Sequence, residues 1–474
     1  MAHLPPEILY SVVDCLDNTS DRISLLRVCR HWRAVLSREA YRCVHVEGSQ
    51  IRSLVALVLD SPRLAGYIRQ LSLYWCKFTP DGKDKDPLPS TVLDLVDRVF
   101  STDERENVLA DLVRGDGDAW ISLLLISLPN LTDLTGRAWA IPSTWITRIV
   151  ASAAFRDPPF DQRPVLQCLT SLRTESTDTH DYYAPYQFMP FFYLPAMRAV
   201  HLAALKEQKV LRREGGNDHP SLRTAKGTSP VASLTFETHC TARYGMRDIL
   251  TACSNLKRFT YQHFIQVDWG SQYTEYRPWL FHPTLYTQRH SLEVLYLNHE
   301  GECGESDDDS DLEEDDYPAY NRWFGSLKDF ERLAELCIRV NNLLNFHPKD
   351  QHKTVTLIDI LPRSLKLLHL TGCGPEHCPL LIPNLHAYLS DRAHCPYLRE
   401  VLIETWSSER YSFVPQPSLG TGTEIPSKVN TLVPVLQKAD LAPIEAMCSS
   451  LGIHFMLYIT NRWGEREPIR CREE

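Results

Sequence analysis

The feature that most constrains the fold is a hexad, apolar-x-x-apolar-x-apolar, that returns along most of the chain. It reads Ile68-x-x-Leu71-x-Leu73, Met197-x-x-Val200-x-Leu202, Val231-x-x-Leu234-x-Phe236 and Leu256-x-x-Phe259-x-Tyr261. Further copies are Leu292-x-x-Leu295-x-Leu297, Leu333-x-x-Leu336-x-Ile338, Leu365-x-x-Leu368-x-Leu370 and Leu398-x-x-Val401-x-Ile403. Truncated versions occur at Leu131 with Leu134 and at Leu169 with Leu172, and residues 453–458 read as a terminal copy. The end of each hexad sets two apolar side chains two residues apart, the period of a short strand with one face inward. Helix-like stretches lie between copies, at 246–253, 330–336 and 381–389. A strand and a helix per unit cannot bury a face alone, so the units are expected to stack. From Met197 onward the copies start 25 to 41 residues apart, so the array is irregular. The competing reading is a single α/β domain with a leucine-rich core; the number of good copies favours the array.

Charge narrows the function classes. The 474 residues include 60 acidic and 50 basic ones, a formal net charge of −10. Binding to nucleic acid through its phosphates needs a basic surface and is not expected. The acid is concentrated: residues 300–316 hold eleven acidic and no basic side chains, which leaves 49 against 50 elsewhere. That run falls between the copies at Leu292 and Leu333, and its self-repulsion marks a disordered insertion at 300–316. The most apolar stretch, 121–128, is too short to span a bilayer, so no membrane segment is expected. The first residues lack the basic and apolar regions of a secretory signal, which predicts an intracellular protein, in cytoplasm or nucleus, with reduced cysteines. Segments 77–89, 206–230 and 415–428, rich in Pro, Gly and charge, are expected to be surface loops.

The first forty-five residues differ from the array. Pro5 and Pro6 stand where a helix tolerates proline, and Ile8, Leu9, Val12, Val13, Cys15 and Leu16 make one broad apolar face. After a turn at 17–21, with Ser20 or Asp21 as the cap, Leu25, Val28, Cys29, Trp32, Val35 and Leu36 continue the periodicity. Arg22, Arg27, Arg30 and Arg33 fall on the other side. Two such short helices bury little by themselves, and their apolar faces need a partner: the downstream domain or another protein.

Leu4-Pro5-Pro6-Glu7-Ile8-Leu9, followed by Val28-Cys29-Arg30-His31-Trp32, resembles the F-box motif over residues 3–45. The resemblance implies docking on a Skp-family adaptor, which links such proteins to a cullin ubiquitin ligase. By motif position, Leu4, Pro5, Ile8 and Leu9 would make the leading contact, with Leu26, Val28 and Trp32 completing the patch. Arg27 departs from the pattern, which more often has an apolar residue there. The strand-and-helix array resembles the leucine-rich-repeat regions found behind F-boxes. The expected fold is therefore α/β: a small helical F-box at 1–47, then an irregular leucine-rich-repeat-like solenoid at 48–474 that recognises a protein substrate. Such a chain is a substrate-recognition subunit of a Skp–cullin–F-box ligase and not itself an enzyme. The alternative is a protein–protein interaction scaffold with F-box-like helices.

Other candidates are weaker. No phosphate-binding loop, dinucleotide fingerprint, nucleophile elbow or zinc-protease motif occurs, so no catalytic residue and no cofactor is expected. Cys373, His377, Cys378, His394 and Cys395 have metal-like spacing, yet Cys373 ends a hexad strand; a structural role and no metal are expected. Residues 182–193 hold Tyr182, Tyr183, Tyr186, Phe188, Phe191, Phe192 and Tyr193 around Pro185 and Pro190, a pattern read as a long loop. Such a loop either folds into the core or forms a recognition surface. Tyr182, Tyr183, Tyr186 and Phe188 are the candidate substrate contacts. Trp269, Tyr273, Tyr276, Trp279 and Phe281 form a second aromatic group with the same two readings. Ser306 and Ser310 stand before acidic residues and resemble acid-directed phosphorylation sites.

Overall fold

The computed structural model describes residues 4–16, 19–74, 87–137, 144–175, 183–207, 226–237, 240, 245–264, 276–300, 321–346, 355–406, 436, 438–460 and 466–468. Tyr182, Trp269, Tyr273, Ser306, Ser310, most of the acidic run and most of the three charged loops lie outside the described residues. Two compact units divide the chain: residues 1–256 with 267–272, and residues 257–266 with 273–474.

The first unit opens with three helices, α1 (Pro6–Asp14), α2 (Thr19–Leu25) and α3 (Arg30–Ala40). Two helices were expected. The apolar steps from Leu25 to Leu36 do not form one continuous helix: the amides of Leu26, Arg27 and Val28 each bond the carbonyl three residues back, and Cys29 is extended. The Cys29 thiol then accepts the Trp32 N–H at 3.4 Å and starts α3. Ser20 and Asp21 lie inside the first turn of α2 and not ahead of it. Leu9, Val13, Leu26, Leu36 and Ala40 form the core of this head, with Leu25, Trp32, Val35 and Tyr41 packed against it.

Next come β1 (Cys43–Glu47), α4 (Ile51–Asp60), α5 (Pro62–Ala65), β2 (Gln70–Tyr74), α6 (Ser90–Val99), α7 (Thr102–Arg114), α8 (Gly117–Ser127) and β3 (Asp133–Arg137). They are followed by α9 (Thr144–Phe155), β4 (Ser171–Glu175), α10 (Met189–Phe192), β5 (Ala199–Ala203), β6 (Ser233–Glu237) and α11 (Arg247–Ala252). These strands are all parallel and pair in chain order. Register aligns Val44, Leu71, Leu134, Leu172, Val200 and Leu234 in one row. The apolar run 121–128 lies in and just after α8, whose residues from Gly117 to Leu125 are buried; no described helix is long and apolar enough to cross a membrane.

The second unit holds β7 (Arg258–Phe264), α12 (His282–Leu285), β8 (Val294–Glu300), β9 (Glu335–Arg339), α13 (Val340–Leu343), α14 (Leu357–Ile360) and β10 (Leu367–Thr371). It ends with α15 (Cys378–Ser390), β11 (Glu400–Trp406), α16 (Lys438–Ser450), β12 (His454–Thr460) and β13 (Arg466–Pro468). β7 to β12 are again parallel and in chain order, and β13 closes antiparallel on β12. Phe259, Leu295, Leu336, Leu368, Val401 and Phe455 make the corresponding row. Every apolar position of the eight full hexads is at most 3% exposed. The architecture is thus a helical head followed by an α/β array of sequential parallel strands.

Two segments differ from their expected form. Residues 330–336 are not helical: Phe330 and Leu333 bond back three residues as successive turns, and Leu336 already lies in β9. An i, i+3 apolar pair can serve a tight turn entering a strand as well as a helix. The aromatic segment is not a long loop either. Pro185 and Pro190 sit in the first turns of a short 3-10 helix and of α10, where no amide partner is required. In the second aromatic group Tyr276 stacks on Tyr261 at 5.6 Å and Phe281 packs against Phe259 at 5.1 Å, all inside the core.

Candidate functional site

The head carries apolar surface that its own core does not use. On α1, Leu9 and Val13 turn inward, whereas Ile8 and Val12, four residues apart, turn out. Adjacent residues on a helix point about 100° apart, so Ile8 and Leu9 cannot both face one partner. Leu4, Ile8 (50% exposed) and Val28 (51% exposed) remain accessible, as does Pro5. Leu9 and Leu26 are corrected from contact residues to core residues, because they close the head around Leu36. Trp32 is half-buried and packs against that core. Tyr10 and Val12 also stand exposed, Val12 one turn after Ile8 on the same face. Covering a half-exposed Ile or Val is worth about 1 kcal/mol each.

Arginines frame this surface in two ways. The Arg22 Nε donates to the Leu16 carbonyl at 2.6 Å and the Arg33 Nε to the Leu26 carbonyl at 3.3 Å, fastening the turns between helices. Arg27 and Arg30 are exposed.

The other candidates are distributed through the core. Tyr183 and Phe188 are buried, edge to face at 5.7 Å, and the Tyr183 N–H bonds the Ala204 carbonyl at 2.9 Å. They are corrected to core residues: aromatic bulk beside β5 fills the unit. Tyr186 alone of the described set is exposed. The Cys/His cluster splits, with Cys373, His377 and Cys378 at the start of α15 and His394 and Cys395 beyond its end. The Cys395 thiol meets the Tyr388 carbonyl, ten helical residues after Cys378, so about 15 Å of helix separates the groups. One ion cannot reach both. Cys373 is buried and its thiol is pushed up, while the His377 Nδ1 accepts the Gly374 N–H at 2.9 Å and burial holds that imidazole down.

Buried thiols elsewhere are likewise pushed up by desolvation, to about 12 at Cys240 and Cys253 and about 11 at Cys448. That is the reverse of an activated nucleophile, which needs a lowered value. The paired His369 Nε2 and Glu404 Oε2, 2.9 Å apart, are both buried and tie β10 to β11.

Comparison with known families gives two matches. An F-box-like model matches residues 1–47, and a leucine-rich repeat domain model matches residues 160–437. The second match covers more than half of the chain, and β1 to β3 extend the same strand register ahead of it. No curated protein matches. Both modules are typically non-catalytic and serve protein interaction, and an F-box generally binds a Skp-type adaptor. The chain belongs to the leucine-rich repeat domain family and carries an F-box-like domain over its first 47 residues.

Proposed function

We propose that the protein is the substrate-recognition subunit of a Skp–cullin–F-box ubiquitin ligase, acting inside the cell in cytoplasm or nucleus. The head docks the Skp-family adaptor, the repeat array holds a protein substrate, and ubiquitin is transferred by the rest of the assembly. The chain contributes proximity: a bound substrate meets the ligase at a raised effective concentration, so no catalytic group is needed here. The observation that carries the reading is the exposed apolar set Leu4, Ile8 and Val28 on a head whose core is already closed. Large apolar anchors flanked by polar rim residues are what a helix-bearing interface uses for most of its affinity.

The test is co-purification of the full chain with a Skp-family adaptor and a cullin. Wild type should retain both, and Ile8→Asp/Val28→Asp should lose both, while Val113→Asp, a more exposed apolar position on α7, keeps them. Equal capture by wild type and the double variant would sink the proposal. Adaptor without cullin would favour a scaffold outside any ligase.

A further inference from the structure

Arg27, the departure from the F-box pattern, lines a groove that the adaptor reading does not use. A trough of ≈ 740 Å³ lies between α2, β1 and α4, within the size range of ligand sites. Four consecutive residues of β1, Val44, His45, Val46 and Glu47, line it. Neighbouring strand residues point to opposite faces, so a groove over one face would meet only every second residue. One that meets four in succession runs alongside the strand edge. β1 is the first strand of its sheet and pairs with β2 on one side. An edge of this kind is a template for a further strand.

The walls say what such a strand must carry. From α4 come Leu54 and Leu57, the latter 44% exposed. Glu47 is engaged locally, its side chain capping the turn at Gln50, and His45 lies against the Tyr74 ring at 6.4 Å. Arg27 is exposed, and among the described residues its guanidinium has neither an ion pair nor a hydrogen bond. An uncommitted cation over an apolar wall calls for a carboxylate beside an apolar side chain.

We propose that this trough binds an extended acidic–apolar peptide segment of a partner protein, which adds to β1 as a further strand and sets a carboxylate against Arg27. The trough shares no residue with the exposed set Leu4, Ile8 and Val28, although Arg27 precedes Val28 in the chain, and the proposal stands whether or not the head enters a ligase. Its test is selection of phage-displayed random dodecapeptides on the full-length protein, followed by affinity measurement with the leading synthetic peptide. Selected sequences should alternate apolar residues and carry Asp or Glu. Affinity should fall roughly tenfold or more for Arg27→Glu, for Leu57→Asp and for a peptide N-methylated at alternate amides. Arg27→Gln should lose less than Arg27→Glu, and Leu57→Asp should keep its melting temperature and its adaptor capture. Failure to select any peptide overturns the proposal, as does unchanged affinity in Arg27→Glu and Leu57→Asp. Tight binding of the N-methylated peptide would overturn strand addition.

Discussion

In the strand array the apolar pattern is consumed internally, whereas in the head about half of it is left on the surface. The apolar residues of the hexads are at most 3% exposed, row upon row across parallel strands. The head buries Leu9, Val13, Leu26, Leu36 and Ala40 but shows Leu4, Ile8, Tyr10, Val12 and Val28 to solvent. A repeat has neighbours of its own kind to cover its inner face; three short helices have only each other. Apolar surface in the array therefore measures stability, and apolar surface in the head measures availability to a partner.

The largest effect expected from that contrast is in the array. Leu336→Ala removes the middle of the row Leu295, Leu336, Leu368 and should cost about 2–5 kcal/mol, read as a drop in denaturant midpoint. A loss below about 1 kcal/mol would mean that the row can collapse around the gap and that the array is not closely packed.

Asp118 tests the array's treatment of buried charge. It accepts the N–H groups of Trp145 and Ile146 at 2.6 and 3.2 Å, capping α9 from α8. Burial pushes its carboxyl up from 3.8 to about 6, against those hydrogen bonds, which favour the anion. The folded state then holds the proton more tightly than the unfolded one. Its contribution is fully present below pH 4 and is lost as pH rises through 6, by at most about 3 kcal/mol. Asp118→Asn removes the charge but leaves one acceptor for the two N–H donors; it should flatten the pH 4–7 stability profile while lowering stability at pH 7 through the lost hydrogen bond. An unchanged slope in the Asn variant would assign the pH dependence to other groups.

What the sequence made legible follows the same contrast. The hexads mark strands because three buried positions per unit leave a strong periodic signal, and all eight full copies fall on strands in register. β1 went unseen because its copy begins with Tyr41, a residue shared with the head's core, and is followed by Val44 and Val46 within the F-box range. The helices α6 to α9 are inserted between strands, and α8, buried from Gly117 to Leu125 and apolar on nearly all sides, has no amphipathic period to read. In the head the motif residues fall on both faces of the helices, some in the core and some exposed. Leu9 is adjacent to Ile8 in the chain, and only the helical phase separates core from surface. Tyr183 and Phe188 misled for a related reason: large aromatics anchor interfaces and cores alike, and composition does not tell them apart.

A smaller effect is expected inside the head. Leu9→Ala should cost about 2 kcal/mol, since five side chains make a core with little to redistribute. Amide hydrogen exchange should locate the loss in α1 and α3, with the strands of the array still protected. Equal deprotection of β4 and β5 would show that head and array unfold as one cooperative body, and the contrast would lose its energetic basis.

The smallest effect is the one that defines the head's surface. Ile8 is half exposed on α1, so Ile8→Ala removes little buried area, and alanine is the better helix former by a few tenths of a kcal/mol. The two terms oppose each other, and the net change in stability should stay within about 0.5 kcal/mol of zero, the ordinary range for surface positions. Adaptor capture should weaken all the same, because the side chain that does nothing for the fold is the one a partner would cover. A loss of stability above about 1 kcal/mol would mean that Ile8 is already covered within the chain, and the head would have no apolar surface to offer there.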